Sequence, residues 1–154
     1  MRRDSEALKI RTKDFALRVL RLYRSLPRTD EARILGKQLL RSSTSIGANY
    51  RAACRGRSRA EFLAKLGIVL EEADETVFWL ELLQEGNVFP AEKLRELVLE
   101  ANELVSIFVS SVRTAKANAE DRSDCRGERA KSDCRGQIAE VKEQSQIAEV
   151  RLQR

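Results

Sequence analysis

Residues 62–83 read FLAKLGIVLEEADETVFWLELL, and this stretch decides the fold class. Apolar residues recur in it every three or four positions, which places them along one side of a helix. The stripe consists of Phe62, Leu66, Val69, Ala73, Val77 and Leu80. Charged or polar residues fill six of the thirteen positions between them, and the stretch predicts a long helix with one buried face.

Signals on both sides bound this helix. The Arg55-Gly56-Arg57 segment breaks the periodicity, and Ser58 with Glu61 matches a capping box, which starts a helix. At the other end, Gly86-Asn87 is a stop signal of the kind that follows the last helical turn. The third helix of the chain is therefore predicted over residues 58–86.

Similar patterns predict three more helices. Helix one covers residues 4–26 and is closed by Pro27, helix two runs from Thr29 or Asp30 to Cys54, and Pro90 opens helix four. Their core stripes are Leu8, Phe15, Val19, Leu22 and Leu26; Leu35, Leu39, Ser42, Ile46, Asn49 and Ala53; and Leu94, Leu97, Val98, Ala101, Val105, Phe108 and Val112. Because short links join these helices, residues 1–117 predict an all-α, antiparallel up-down-up-down four-helix bundle.

Residues 118–154 differ in kind. SDCRG at 123–127 recurs at 132–136, and QIAEV at 137–141 recurs at 146–150, nine residues later in both cases. A nine-residue period does not match the heptad of a coiled coil. We therefore expect a separate low-complexity C-terminal tail that is disordered or loosely helical.

The composition argues against catalysis. The chain has no histidine, which removes the commonest general base and most nitrogen ligands of zinc. Its three cysteines, in a chain that opens without a secretion signal, argue against a disulfide framework. No apolar run approaches the roughly 18 residues that span a bilayer. We expect a cytoplasmic protein that is not an enzyme and has no metal, cofactor or membrane contact.

Charge is unevenly distributed along the chain. Residues 1–59 contain 16 Lys or Arg against 5 Asp or Glu, whereas residues 60–117 contain 5 against 11. A basic half is typical of proteins that meet nucleic acid. It is equally able to meet the acidic half of the same chain or of a neighbour, and charge alone leaves both interpretations open.

A second stripe on helices one and three predicts an oligomer interface. On the side away from the core, each helix carries apolar residues that a lone bundle would leave in water. The candidate interface residues are Lys13, Leu17, Leu20, Arg21 and Arg24 with Ile10 on helix one, and Ile68, Glu71, Glu75, Phe78 and Leu82 on helix three. One stripe is rimmed with positive charge and the other with negative charge, so the two are complementary.

The turn between helices two and three predicts a nucleic-acid contact. Its dense basic cluster consists of Arg51, Arg55, Arg57 and Arg59, with Gly56 allowing close approach. Such a cluster suits phosphate groups, although no aromatic residue interleaves with it for base stacking. Solvated charge or subunit pairing is the alternative interpretation. Asn49, in contrast, is expected to be a buried amide that hydrogen-bonds across helices.

The sequence also resembles a known family at two segments. TSIGANYRAACRGRSRAEF at 44–62 and LGIVLEEADETVFWLELL at 66–83 are similar to proteins encoded in intervening sequences of 23S ribosomal RNA genes. The same family includes the accessory variability proteins of diversity-generating retroelements. The resemblance covers residues 5–117 and implies a four-helix protomer, a homopentameric ring and no enzymatic activity. For the retroelement members it implies binding of nucleic acid and of a reverse transcriptase through a basic surface.

Two functional hypotheses follow. The first is a non-catalytic, ring-forming protein that binds RNA or DNA as an accessory factor. The alternative is an oligomeric adaptor that binds a protein partner, such as a reverse transcriptase, without nucleic acid. Salt-dependent binding of arbitrary RNA separates the first from the second.

Overall fold

The computed structural model describes the backbone of residues 2–117 and the side chains of residues 5–117. Four helices account for most of this part: α1, Arg2–Ser25; α2, Asp30–Ala53; α3, Arg59–Glu85; and α4, residues 91–117. No strand occurs in residues 2–117. The prediction of an all-α, four-helix protein is confirmed. The predicted tail at 118–154 lies outside the described residues, so its separation from the bundle stays a prediction.

Local capping explains where α2 and α3 begin. Thr29 is the N-cap of α2, and its side-chain oxygen accepts a hydrogen bond from the Ala32 N–H at 3.3 Å. Ser58 caps α3 in the same way and accepts from the Glu61 N–H at 3.1 Å. Glu61 Oε2 reaches back to accept from the Arg57 N–H at 2.9 Å. The predicted capping box is therefore present, with its return bond displaced by one residue.

Asn87, rather than Gly86, takes the unusual backbone conformation at the end of α3. Gly86 has φ −73°, whereas Asn87 has φ 52°, in the left-handed region. The N–H groups of Val88 and Phe89 then both reach the Leu83 carbonyl oxygen, at 3.1 and 3.2 Å. These bonds satisfy a carbonyl group in the last turn of the helix, so the predicted stop is confirmed.

The predicted stripes meet in one apolar core. Their buried members are Phe15, Val19, Leu22, Leu39, Ile46, Ala53, Leu66, Val69, Ala73, Leu80, Leu94, Leu97, Ala101 and Phe108. Tyr50, Leu83 and Leu104 are buried as well, although the sequence pattern did not place them there. The Tyr50 ring lies 5.7 Å from that of Phe108, centroid to centroid, and so joins α2 to α4.

Gly36 allows α1 and α2 to approach closely, and Gly47 also faces α1 at an ordinary contact distance. A Cβ atom at Gly36 would lie 2.5 Å from Leu26 Cδ1 and 2.9 Å from Tyr23 Cδ2, so the side chains at the end of α1 occupy that space. At Gly47 the nearest atom would be Thr12 Oγ1, at 3.6 Å. Because early α2 meets the end of α1 and later α2 meets its first half, the two helices run antiparallel.

Polar contacts link the other neighbours in the bundle. The hydroxyl oxygens of Thr76 and Ser42, both fully buried, lie 2.9 Å apart and join α3 to α2. Arg11 Nε of α1 donates to Glu100 Oε1 of α4 at 2.6 Å. The up-down-up-down order of the four helices stays a prediction.

Candidate assembly and nucleic-acid surfaces

The outer face of α1 exposes apolar side chains beside basic ones. Ile10 is 55% exposed and Leu17 is 38% exposed, while Leu20 is half-buried. The basic members of the predicted stripe are all exposed: Lys13, Arg21 and Arg24. The structure therefore brings the predicted residues of α1 together on the side away from the core.

The outer face of α3 carries the second stripe. Phe78 is 50% exposed and Ile68 is 37% exposed, Leu82 is half-buried, and the Glu71 side chain is exposed. The Phe78 ring packs edge-on against Trp79, with 4.9 Å between ring centroids. This surface thus combines an aromatic pair with exposed carboxylates, because Asp74 and Glu81, one turn to either side of Phe78, are exposed as well.

Glu75, the second predicted carboxylate of that stripe, is engaged within its own chain. Its Oε1 accepts hydrogen bonds from Trp79 Nε1, at 3.0 Å, and from Arg41 Nη2 of α2. The bond from Trp79, together with the bond and charge of Arg41, lowers the pKa of Glu75 although partial burial opposes the shift. Glu75 therefore serves the α2–α3 contact. Glu71 has no ion pair among residues 5–117.

Arg41 and Glu72 complete an arginine–glutamate cluster that sequence reasoning missed. Arg41 Nη1 lies 3.7 Å from Glu72 Oε1, and Glu72 Oε2 is buried without a hydrogen-bond partner among the described residues. Burial raises the pKa of Glu72; the charge of Arg41 opposes this shift, and the charges of Glu75 and Glu71 add to it. The one signal in the sequence was the three-residue spacing of Glu72 and Glu75, which places both on one side of α3.

A second cluster of the same composition joins α1 to α4. Arg11 Nε and Nη2 donate to the two carboxylate oxygens of Glu100, at 2.6 and 3.1 Å, and Nη2 also donates to Glu103 Oε2. The hydrogen bonds that Arg11 donates to Glu100 and Glu103 raise the pKa of Arg11, and the bond from Arg11 lowers the pKa of Glu100. Such a two-pronged arginine–carboxylate contact has a defined geometry, so it orients the two helices as well as attracting them.

The α2–α3 turn presents the predicted basic cluster. Its exposed members are Arg51, Arg55 and Arg57. None of the three has an ion pair among residues 5–117, and Arg59 beside them is half-buried. Gly56 is half-buried, and a Cβ there would lie 3.1 Å from the Ala53 oxygen and 3.3 Å from the Phe62 nitrogen. The glycine thus lets the turn pack against α3, and the expectation that it also allows a phosphate to approach stays a prediction.

Asn49 also differs from expectation. Its side chain is half-buried, and Nδ2 donates to the Ser45 carbonyl oxygen, four residues earlier in α2, at 3.1 Å. The predicted hydrogen bond across helices is wrong, because a short amide side chain reaches the carbonyl of its own preceding turn more easily. Ser42 and Thr76 make the buried polar contact between helices instead.

Three further features bear on function: the potential metal ligands, the buried Tyr50 phenol and the apolar length of the helices. Among the described residues, no three His, Cys, Asp or Glu side chains converge as metal ligands would. Tyr50 lies beside Cys54, and burial together with that neighbour raises the pKa of Tyr50, so it is a neutral phenol in the core. No helix in residues 2–117 is long and apolar enough to cross a membrane.

Comparison with known proteins identifies the family. The sequence profile described as 23S rRNA-intervening sequence protein matches residues 6–110. The chain belongs to this family. The match includes every candidate interface residue and all four arginines of the α2–α3 turn, and it contains both segments on which the resemblance was based.

A solved structure similar to this member of the 23S rRNA-intervening sequence protein family comes from Bacteroides thetaiotaomicron VPI-5482. It is a protein of unknown function from the S23 ribosomal protein family, 37% identical in sequence, with a TM-score of 0.66. The similarity covers 71% of this chain and 97% of that chain. No protein with curated annotation matches this chain. Family and fold are therefore shown, and the task of the family is not described by these matches.

Proposed function

We propose that this member of the 23S rRNA-intervening sequence protein family is a non-catalytic protein whose subunits assemble head to tail into a ring. The pair of exposed apolar stripes on α1 and α3, with opposite charge at their margins, is the observation that carries the proposal. In an up-down bundle α1 and α3 sit diagonally, so these stripes cannot cover each other within one chain. Two different patches that meet between subunits form a heterologous contact, which closes into a ring when the rotation permits.

Apolar burial supplies the attraction in this assembly. Phe78 and Ile68 of one subunit lie against Ile10 and Leu17 of the next, and all four are more than a third exposed in the single chain. Complete burial of such a side chain stabilises by about 1.5–3 kcal/mol, so covering a half-exposed one contributes roughly 1 kcal/mol. Leu20 and Leu82, already half-buried, contribute less.

The charges at the margins set the register. Lys13, Arg21 and Arg24 are exposed along α1, and Glu71 is exposed on α3. Exposed charges around an apolar contact mainly steer association and exclude wrong orientations, with a small effect on affinity. Because Glu75 is already bound by Trp79 and Arg41, Glu71 takes the larger part of this role. Five subunits is the number that the family resemblance implies.

Sedimentation velocity tests this proposal. Phe78→Asp places a charge at the centre of the α3 stripe and is expected to give monomers where the wild-type chain sediments as a ring. Leu99→Asp is the matched control, since Leu99 is 53% exposed on α4, outside both stripes, and its replacement should leave the ring intact. A monomeric wild type, or a Phe78→Asp protein that sediments like the wild type, contradicts the proposal.

The second candidate function is nucleic-acid binding through Arg51, Arg55, Arg57 and Arg59. The observation that favours it is the set of three exposed arginines without ion pairs at one end of the bundle. Ring assembly would present the cluster several times and raise the avidity for a long strand. Replacing all four arginines by alanine should weaken RNA and DNA binding and its dependence on salt. Unchanged binding would show that the cluster is not the site.

The alternative is an adaptor that binds only a protein partner, such as the reverse transcriptase implied by the family resemblance. Wild-type protein that binds neither RNA nor DNA at low salt would favour this adaptor. A cytoplasmic location stays a prediction.

A further inference from the structure

A groove between the C-terminal half of α1 and the start of α4 is lined by cationic side chains that form no ion pair within residues 5–117. It has a volume of about 300 Å³ and is lined by Arg18 and Arg21 of α1 and Lys93 of α4. Two buried leucines, Leu22 and Leu97, form its apolar floor. Residues 18 and 93 are far apart in sequence, so the groove exists only once α1 and α4 pack together.

The cations of this groove contrast with the arginines that join helices. Arg11 and Arg41 each reach two carboxylates, whereas Arg18, Arg21 and Lys93 have no ion pair within 4.0 Å among residues 5–117. Three positive charges therefore converge on one concave surface, and a concave surface of one charge sign concentrates ions of the other sign.

Carboxylates near the groove do not neutralise it. Glu96 is the one acidic residue in the lining. Glu100 lies close enough for Arg18 to help lower its pKa, but Arg11 holds both of its oxygens. Three cations and one carboxylate in the lining leave a net positive charge, and the N-terminus of α4, which begins at residue 91, adds to it.

The remaining lining residues distinguish one kind of anion from another. Phe89 borders the groove, and the Lys93 ammonium lies 5.7 Å from its ring centroid. Because this ammonium lies over the ring, the half-buried ring offers a stacking surface for a flat base once Lys93 turns from the ring to a phosphate. Glu96 can accept a hydrogen bond from a base amino group or a ribose hydroxyl, whereas it would repel the side chains of an acidic peptide.

We propose that this groove binds single-stranded nucleic acid, with phosphate groups at Arg18, Arg21 and Lys93 and a base against Phe89. The proposal rests on the nucleic-acid candidate function but uses the opposite end of the bundle from the α2–α3 turn. The groove lies where α2 begins and the arginine cluster where α2 ends, and a helix of 24 residues is about 36 Å long. The two sites can therefore be tested separately.

The test measures binding of a fluorescent single-stranded RNA of about 12 nucleotides to the full chain over a range of salt concentrations. Arg18→Ala with Lys93→Ala is the diagnostic variant, because Arg21 also belongs to the α1 stripe and is left intact. Affinity should fall roughly tenfold, and the slope of log affinity against log salt should become shallower by about 1.4, since each phosphate contact on a single strand contributes about 0.7. Lys37→Ala with Arg95→Ala removes two exposed charges outside the groove and should change neither quantity.

A third variant separates stacking from charge. Phe89→Leu keeps an apolar side chain against the core and should weaken binding several-fold with an unchanged salt slope, because stacking on an aromatic ring does not release counterions. Sedimentation of each variant should match that of the wild type. This readout is independent of the Phe78→Asp test of ring assembly and of the four-arginine test of the α2–α3 turn.

Several outcomes would overturn the assignment. One is wild-type protein that binds no RNA; another is equal loss in the Arg18/Lys93 variant and its Lys37/Arg95 control. Polyglutamate that competes as well as RNA of the same length would show a general anion site. A change in sedimentation of the Arg18/Lys93 variant would assign the groove to subunit contact instead.

Discussion

Replacing Thr76 by valine removes one buried hydroxyl group at almost constant volume. Thr76 and Ser42 are both 0% exposed, and their oxygens lie 2.9 Å apart between α3 and α2. Each hydroxyl also lies near a carbonyl of its own helix: Thr76 Oγ1 is 2.7 Å from the Glu72 oxygen, and Ser42 Oγ is 3.3 Å from the Leu39 oxygen. Two protons therefore serve three contacts, and the substitution removes the two that involve Thr76: the contact between helices to Ser42 and the contact to the Glu72 carbonyl oxygen.

The expected loss of stability follows from the hydrogen bonds that remain after the substitution. Valine keeps the shape of threonine, so no cavity opens, and Ser42 retains only its longer contact to Leu39. A net hydrogen bond contributes about 1 kcal/mol, and a poorly partnered buried hydroxyl brings the loss to about 1–3 kcal/mol. We expect about 1.5 kcal/mol for Thr76→Val. The double variant with Ser42→Ala should lose about 1 kcal/mol less than the sum of the two single losses, because both partners are then absent.

Urea unfolding followed by circular dichroism measures these values at one fixed protein concentration, since assembly would otherwise shift the midpoint. Thr44→Val is the matched control: Thr44 is exposed on α2, and its hydroxyl bonds carbonyl groups of its own helix, with Leu40 at 2.7 Å. Its loss should stay below about 0.5 kcal/mol. Equal losses for Thr76→Val and Thr44→Val, or additive losses in the Ser42–Thr76 cycle, would refute the reasoning.

Four further predictions concern the tail, two half-buried carboxylates and the charged margins of the stripes. A chain ending at Lys116 should melt within about 2 °C of the full chain by calorimetry, because the predicted core stripes end at Val112; a larger loss would show that the tail packs on the bundle. Glu72 has a raised pKa, so its ionisation destabilises the wild type as pH rises through that pKa, and Glu72→Gln should gain in melting temperature relative to the wild type between about pH 4 and pH 7. Glu100 has a lowered pKa, so the stability that its carboxylate contributes is lost as pH falls through that pKa. Glu100→Gln should therefore cost about 1 kcal/mol of unfolding free energy at neutral pH and little in strong acid. Effects of Glu72→Gln and Glu100→Gln that do not depend on pH would contradict these assignments. Glu71→Lys should weaken assembly, as measured by sedimentation velocity, and Lys13→Glu in the same chain should partly restore it. If Lys13→Glu does not restore assembly, the two residues do not face each other.

The helices and their ends could be predicted because they depend on residues close together in sequence. The three- and four-residue spacing that gives Leu66, Val69 and Ala73 a common side is a property of the helix itself. The caps at Thr29 and Ser58 likewise involve partners only three residues away. Neither requires knowledge of how helices pack.

Contacts between helices could not be predicted in the same way. Arg11 and Glu100 are 89 residues apart, and many carboxylates compete for an arginine until the packing is fixed. For this reason Glu75 was predicted as an interface residue, although Arg41 of the same chain binds it. Tyr50 and Leu83 lie beside the predicted stripes, and only the arrangement of neighbouring helices decides that they are buried.

The candidate surfaces could be predicted only in part. Ile10 and Phe78 were recognisable because they lie opposite a core stripe, which needs only the period of one helix, and both are half exposed or more. The groove at Arg18 and Lys93 was missed because its lining comes from two helices, α1 and α4, that are far apart in sequence. Surfaces confined to one helix are thus readable from sequence, and concave sites between helices are not.

Mixing two assembly-deficient variants tests head-to-tail assembly most directly. Leu17→Asp damages only the α1 stripe and Phe78→Asp only the α3 stripe, so each variant alone should sediment as a monomer. In an equal mixture, the intact α3 stripe of one meets the intact α1 stripe of the other, and the pair cannot extend further. The account predicts a heterodimer in the mixture. A mixture that stays monomeric, or variants that each assemble alone, would contradict it.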